Sequence, residues 1–283
     1  KKLAPLFAFV LLLSSCEKEI DYQIPNPGDK IVVSGQLEAG QEPIIFLSTS
    51  VYSMSSQEPQ TDSIYSAWLF SNHPDSPFKL EAKESDFTFT KEYYYTSPHK
   101  IEAGKTYRLE VSAPNLEPVS ASTIVPLKET IETARFDTAT NELSFSFIDD
   151  ANLSNYYWIE ITDPVQNYQL FFSSIDPTLE FFDSFGDPFG EGDGRSYGNY
   201  AFFDDNQFNG QRKELKIRME SIRQSGLNIK LHSISESYYR FRITRAANGF
   251  GDGIFSEPVQ LFSNVSGGYG IMSGQSTDSL IIR

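Results

Sequence analysis

Residues 103–111, Ala-Gly-Lys-Thr-Tyr-Arg-Leu-Glu-Val, decide the class of fold. In an extended chain successive side chains point to opposite faces, so Tyr107, Leu109 and Val111 share one face while Arg108 and Glu110 share the other. A period of two, preceded by a glycine turn, predicts a half-buried strand. The same grammar recurs on both sides. Short apolar or aromatic runs at 31–37, 43–49, 63–70, 78–82, 87–90, 106–112 and 119–124 alternate with Gly, Pro, Asn, Asp and Ser punctuation. That is the strand count and spacing of an immunoglobulin-like sandwich.

A boundary is expected near Val125-Pro126, because proline cannot extend a central strand. Beyond it, 142–148 and 156–162 alternate well, and 212–220 and 227–231 supply two more strands. One helix is predicted late in the chain. Ser235 can cap it, Tyr238, Tyr239, Ile243 and Ala246 or Ala247 fall at helical spacings, and Asn248-Gly249 ends it. The expectation is therefore an all-β protein of two β-sandwich domains, immunoglobulin- or fibronectin-like, at 30–125 and 126–283, with one short helix in the second. Within the second, 163–210 reads as a long insertion rich in Phe, Asp and Gly.

The composition supports this reading. Phe and Tyr are abundant, at 23 and 15 of 283 residues, and aromatic side chains suit a pleated, half-buried surface. The net charge of −15 argues against nucleic acid, whose phosphates demand clustered Lys and Arg, and against anionic lipid headgroups.

The N-terminus carries an address. Lys1 and Lys2 precede an apolar run from Leu3 to Leu13, then Ser14, Ser15 and Cys16. The run is too short to span a bilayer and has the three-part layout of an export signal, so 1–15 are expected to be removed. Leu13-Ser14-Ser15-Cys16 looks like a lipobox, with Cys16 carrying diacylglycerol. Cys16 is the sole cysteine, which excludes an internal disulfide and leaves lipidation as its natural use in an exported protein. Cleavage leaves 21 basic against 38 acidic residues, or −17. Residues 16–29 then form a tether; its acidic start, Glu17-Lys18-Glu19-Ile20-Asp21, resembles surface-export signals of Bacteroidota lipoproteins, a plain solvated spacer being the alternative.

No catalytic constellation stands out in the sequence. His73, His99 and His232 lie far apart in the sequence, form no pair such as H-E-x-x-H, and read as structural. No nucleophile elbow or phosphate-cradling loop is present, and Gly249–Gly253 (Gly-Phe-Gly-Asp-Gly) follows the predicted helix, as a turn would. Asp183, Asp187, Glu191 and Asp193 form the densest acidic group on a Gly-rich segment, a weak candidate for Ca²⁺ whose spacing departs from the EF-hand loop. Phe181, Phe182, Phe185 and Phe189 either pack down on the second domain or form a partner surface. Aromatic clusters at 93–95, 156–158, 171–172 and 202–203 could stack on sugar rings if exposed, but adjacent strand residues normally send one ring inward and one outward.

The last third carries a resemblance. Phe203-Asp204-Asp205 with Phe208-Asn209-Gly210, His232-Ser233-Ile234-Ser235 leading into Tyr238-Tyr239, Phe255-Ser256-Glu257-Pro258-Val259, and Ser263-Asn264-Val265 followed by Gly267-Gly268-Tyr269-Gly270-Ile271 resemble a family of Bacteroidota outer-membrane lipoproteins with a domain of unknown function, number four-two-four-nine. Met272 stands where an aromatic is expected. The resemblance implies an outer-membrane lipoprotein associated with TonB-dependent transport, with no catalytic residues to carry over. The Ser-Asn and glycine signature itself reads as backbone geometry. The function expected from residues and resemblance together is a non-enzymatic accessory or binding subunit, with no cofactor beyond acyl groups on Cys16. A glycan-active hydrolase using a carboxylate pair and a structural adhesin are the alternatives.

Overall fold

The computed structural model describes residues 28–51, 65–85, 93–174, 176–181, 196–220, 226–248 and 260–283. Its strands are β1 (Ile31–Glu38), β2 (Ile44–Thr49), β3 (Ser66–Phe70), β4 (Phe78–Glu84), β5 (Tyr93–Thr96), β6 (Thr106–Ser112), β7 (Val119–Ile124), β8 (Ile131–Asp137), β9 (Glu142–Ile148), β10 (Tyr156–Thr162), β11 (Phe172–Ser174), β12 (Ser196–Gly198), β13 (Tyr200–Asp204), β14 (Arg212–Met219), β15 (Leu227–Ile234), β16 (Val265–Ser266) and β17 (Tyr269–Ile282). One described helix, α1 (Glu236–Ala247), separates β15 from β16. The all-β expectation holds, and the strand that opened the sequence reading is found as expected. Tyr107, Leu109 and Val111 are buried, while Arg108 and Glu110 face water and pair with each other across the strand face. Each buried side chain of that kind contributes about 2 kcal/mol through removal of apolar surface from water.

The first sandwich sets β17–β1–β2–β5–β4 against β4–β3–β6–β7–β16. β4 serves both layers: Phe78–Leu80 pair with β3, and Glu81–Glu84 pair with β5. The other edge is closed by the turn between β16, which pairs with β7, and β17, which pairs with β1. Gly270, the second residue of β17, holds φ at +106°, and a Cβ there would lie 1.9 Å from the Val33 carbonyl oxygen, so only glycine fits. Asn264 clamps the same turn: its amide donates to the carbonyls of Ser122 and Met272, at 2.9 and 2.7 Å, and its oxygen accepts from Met272 N–H. The reading of the Ser-Asn-glycine signature as backbone geometry thus has a physical account. Met272, in place of an aromatic, is fully buried in the first core.

The second sandwich sets β13–β10–β15–β17 against β12–β11–β14–β9–β8. Its core includes Phe145, Phe147, Tyr157, Phe172, Phe203 and Leu215. Segment 163–210 is no outlying loop where it is described, because it supplies β11, β12 and β13, which pair into both layers. Asp149, nearly fully buried, ties this segment down: it accepts from Gly210 N–H at 2.8 Å, from the Asn155 side chain at 3.2 Å and from the Tyr157 hydroxyl. Asp205 accepts from Asn155 N–H at 2.9 Å, so the Asp205–Gly210 motif is a structural knot.

The two cores divide near Val125-Pro126, except at the C-terminus. β17 runs parallel to β1 over Tyr269–Gln275 and antiparallel to β15 over Gln275–Ile282. Residues 126–283 therefore do not all belong with the second sandwich. Val265 and Met272 pack in the first core, Leu280 and Ile282 against the second.

Candidate functional site

The outward face of the first sandwich departs from the usual solvated sheet. On β1, Ile31, Val33, Gly35 and Leu37 are buried, leaving Ser34, Gln36 and Glu38 on the other face. On β2, Ile45 and Leu47 are buried, leaving Ile44 and Phe46 outward. The run Ile44-Ile45-Phe46-Leu47 is thus apolar on both faces, which an antiparallel strand with one wet face would not be. Phe46 lies across from Tyr94 on β5, with ring centroids 6.3 Å apart and tilted by 50°. Ile271 and Ser273 of β17 extend the same surface.

Helix α1 stands along one side of this surface. Its N-cap, Ser235, accepts from Tyr238 N–H and also from Gly274 N–H of β17, which locks the first turn to the sheet. Ser237 adds a hydrogen bond to the Met272 carbonyl. Tyr239 is buried against Tyr156 and donates to Glu180 at 3.2 Å, while Arg242 donates to the Tyr200 hydroxyl at 2.7 Å and lies over the rings of Tyr200 and Phe202. Both Phe202 and Phe203 are buried, contrary to the one-in, one-out expectation, because α1 covers the outer face. On the other side of the surface stands the loop after β1, fixed by Gly40 N–H to Ile101 O at 2.7 Å and Ile101 N–H to Gln41 O at 2.8 Å.

Between these walls lies a groove of about 840 Å³. This is within the range of roughly 300 to 1,000 Å³ typical of small-molecule sites, and it lies where two packed units meet, as such sites often do. Phe46, Tyr94, Tyr238, Phe241, Ile44 and Ile271 provide its apolar surface. Gln36, Gln41, Ser34, Ser273 and Thr96 provide neutral polar groups, Lys100, Arg242 and Arg245 positive charge, and Glu38 and Glu42 negative charge. Among the described residues Glu38, Glu42, Lys100 and Arg245 form no ion pair.

Two further clusters bear titratable groups. His73 and His99 are distant in the sequence, yet the fold places their rings 4.9 Å apart, with His99 stacked on Phe78 at 3.8 Å. The separation read from the sequence thus fails in three dimensions. Burial, aided by the neighbouring His73, lowers the pKa of His99, and among the described residues no three His, Cys, Asp or Glu side chains are grouped to hold a metal. The second cluster lies on the outer face of β10 and β15. His232 stacks on Trp158 at 3.9 Å and shares a hydrogen bond of 2.8 Å with Thr277. Beside it Glu160 accepts from Lys230 at 2.9 Å and from Gln169 at 2.5 Å. His232 Nε2, 3.7 Å from Glu160, is too distant for a hydrogen bond. Burial disfavours the Glu160 carboxylate, but the adjacent His232 ring, these donors and the Lys230 charge outweigh it and lower its pKa to about 2. Burial lowers the pKa of His232 and keeps it neutral.

Phe181 is partly buried and packs on the second core, its ring 5.4 Å from Phe172. Phe182, Phe185, Phe189, Asp183, Asp187, Glu191, Asp193 and Cys16 lie outside the described residues, as do strand 87–90, turn 249–253 and motif 255–259. The groove was not anticipated as a site; of its lining residues, only Tyr94 stood in a candidate aromatic cluster. The signal that would have found it is the two-faced apolar run at Ile44–Leu47.

A family model described as "Domain of unknown function (DUF4249)" matches residues 17–281, so the chain belongs to that family. No curated protein matches the chain.

Proposed function

We propose that this member of the DUF4249 family is a non-enzymatic binding subunit, anchored to the bacterial outer membrane by acyl groups on Cys16 and acting beside a TonB-dependent transporter. The observation that carries the binding role is the groove: its walls are fixed by hydrogen bonds, and its charges are unpaired by one another. Glu42, Lys100 and Arg245 are exposed and form no ion pair among the described residues, and Glu38 accepts from the Thr277 hydroxyl, so these charges stand beside the apolar floor where a bound partner can meet them. The anchor rests on the residue pattern at Leu13–Cys16 and agrees with the acidic body, which would otherwise have no attraction for anionic lipid.

Two measurements test the reading. Cys16→Ala should move the protein from the membrane fraction to the soluble fraction, and release of the unmodified chain into solution would refute the anchor. Purification in mild detergent should retain a large outer-membrane protein; recovery of the chain alone would refute the accessory role. A second reading, a glycan hydrolase, is favoured by one observation only, that Glu38 and Glu42 both line the groove. Release of reducing ends by the wild type, abolished in both Glu38→Gln and Glu42→Gln, would establish it instead.

A further inference from the structure

We infer that the groove takes a short oligosaccharide, a conclusion that rests on the binding role proposed above and gives that role a ligand class. The argument is one of hydrogen-bonding complementarity. Lys100, Arg242 and Arg245 only donate, Glu38 and Glu42 only accept, and Gln41 and Ser34 do both, while Gln36 and Ser273 already donate to Gln275 and to the Gly35 carbonyl and keep acceptor capacity. A carboxylate-rich ligand would satisfy the cations and be repelled by Glu38 and Glu42. An amine-rich ligand meets the reverse conflict. A hydrocarbon would give the polar and charged part of the lining no new partner and would desolvate any charge that it covered. Hydroxyl groups donate and accept in turn, so a chain of polyhydroxylated rings can satisfy the donors and the acceptors of the lining alike.

The floor fits the same class. It consists of paired strands, β5–β2–β1–β17, in which β1 is paired on both sides, β2 pairs with β5 at Ile45 and Phe46, and the outer main-chain groups of Met272 and Gly274 on β17 bond to Asn264 and Ser235. A peptide would therefore find no free strand edge to extend, which is the usual source of main-chain affinity for peptides. Recognition must come from side chains. Phe46 and Tyr94, half-buried, tilted by 50° and both lining the groove, supply aromatic surface against which the C–H faces of sugar rings can lie. Both rings and the polar residues flanking them line one groove, and the hydrogen-bonded loop and capped helix hold its walls before any ligand arrives.

The test is calorimetric titration of the full-length protein in mild detergent with cellohexaose, maltohexaose, xylohexaose, mannohexaose and chitohexaose, with hexagalacturonate as an acidic sugar and hexaglutamate as an acidic peptide. Saturable binding of at least one neutral oligosaccharide is expected. It should weaken about tenfold in Glu42→Gln and in Arg245→Gln, exposed or rim positions whose substitution leaves the cores untouched, and more in Phe46→Ala. Binding of hexaglutamate alone, of hexagalacturonate alone, or of no probe would overturn the inference. So would neutral-sugar binding unchanged in all three variants, since the ligand would then lie elsewhere. Membrane recovery and co-purification with a transporter do not depend on the sugar, so a failed titration with intact co-purification sinks the ligand class and spares the binding role.

Discussion

Glu160 and Lys230 show how much one buried pair can shape the response of this protein to acid. Glu160 is 7% exposed, and its carboxylate is satisfied by Lys230 and Gln169. Removing the charge strands a partly buried ammonium, so Glu160→Gln should destabilise the fold by about 2 kcal/mol in urea unfolding at pH 7. The pKa of Glu160 in the fold, about 2, lies below the ordinary 4.5, so its contribution is whole above that value and disappears as pH falls from 4.5 toward 2. The variant should therefore show a flatter acid limb across that window, and parallel limbs would contradict the role given to the pair. His232 acts at higher pH in the same direction. Its pKa is lowered in the fold, so the unfolded chain takes up a proton first as pH drops below 6.5, and His232→Phe should remove part of the stability lost between pH 7 and 5. Neither effect was legible in the sequence. His232 and Glu160 stand 72 positions apart, and only the pairing of β10 with β15 brings them side by side.

At the scale of the element, strands whose apolar residues alternate in the sequence are legible nearly to the residue, because alternation is a local signal: β6, β7, β9 and β10 have the bounds expected. Those that were missed lack that signal. β17 carries six consecutive buried positions, Ile271 to Ser276, most of them small and polar, because the first core covers one face and α1 the other. Gly274 shows why size is limited there, since a Cβ would lie 2.3 Å from the Ile124 carbonyl oxygen. A run such as Ser-Gly-Gln-Ser-Thr-Asp-Ser, at 273–279, has the composition of a loop, and tertiary contact overrides that propensity. The turn before β17 and the start of that strand yield two predictions. Asn264→Ala removes three hydrogen bonds and takes from Met272 N–H its side-chain acceptor, the Met272 carbonyl keeping its bond from Ser237, so a loss of about 2 kcal/mol is expected in thermal or urea unfolding. Gly270→Ala should cost more, about 4 kcal/mol or outright failure to fold, because backbone blocks the new methyl. Gly40→Ala, at φ +82° in open space, is the control, with about 1 kcal/mol of conformational cost. Equal losses at the two glycines would show that the close approach to Val33 is not what selects glycine.

For the whole molecule, the pairing of the first strand with the last sets the mode of unfolding. Neither end of the chain contains a local signal for that pairing, which spans 239 residues in the Gln36–Gln275 side-chain bond and so escaped a reading based on periodicity. Its consequence is that neither sandwich keeps a complete sheet without β17. The first would expose β1 as an edge, and the second would expose β15. Two independent domains would melt in two steps, each sensitive only to mutations in its own core. A shared strand predicts one step. Met272→Ala in the first core and Ile217→Ala in the second, both fully buried, should each remove about 3 kcal/mol from the same single transition, since cavities of that kind typically cost a few kcal/mol. Calorimetry and hydrogen exchange together decide the matter. Amides on β6 and on β14, one in each sandwich, should lose protection by the same amount in either variant. Loss confined to the mutated sandwich would mean that β17 tethers the two bodies without coupling them, and the groove between α1 and the first sheet would then lose the rigidity on which its proposed preorganisation depends.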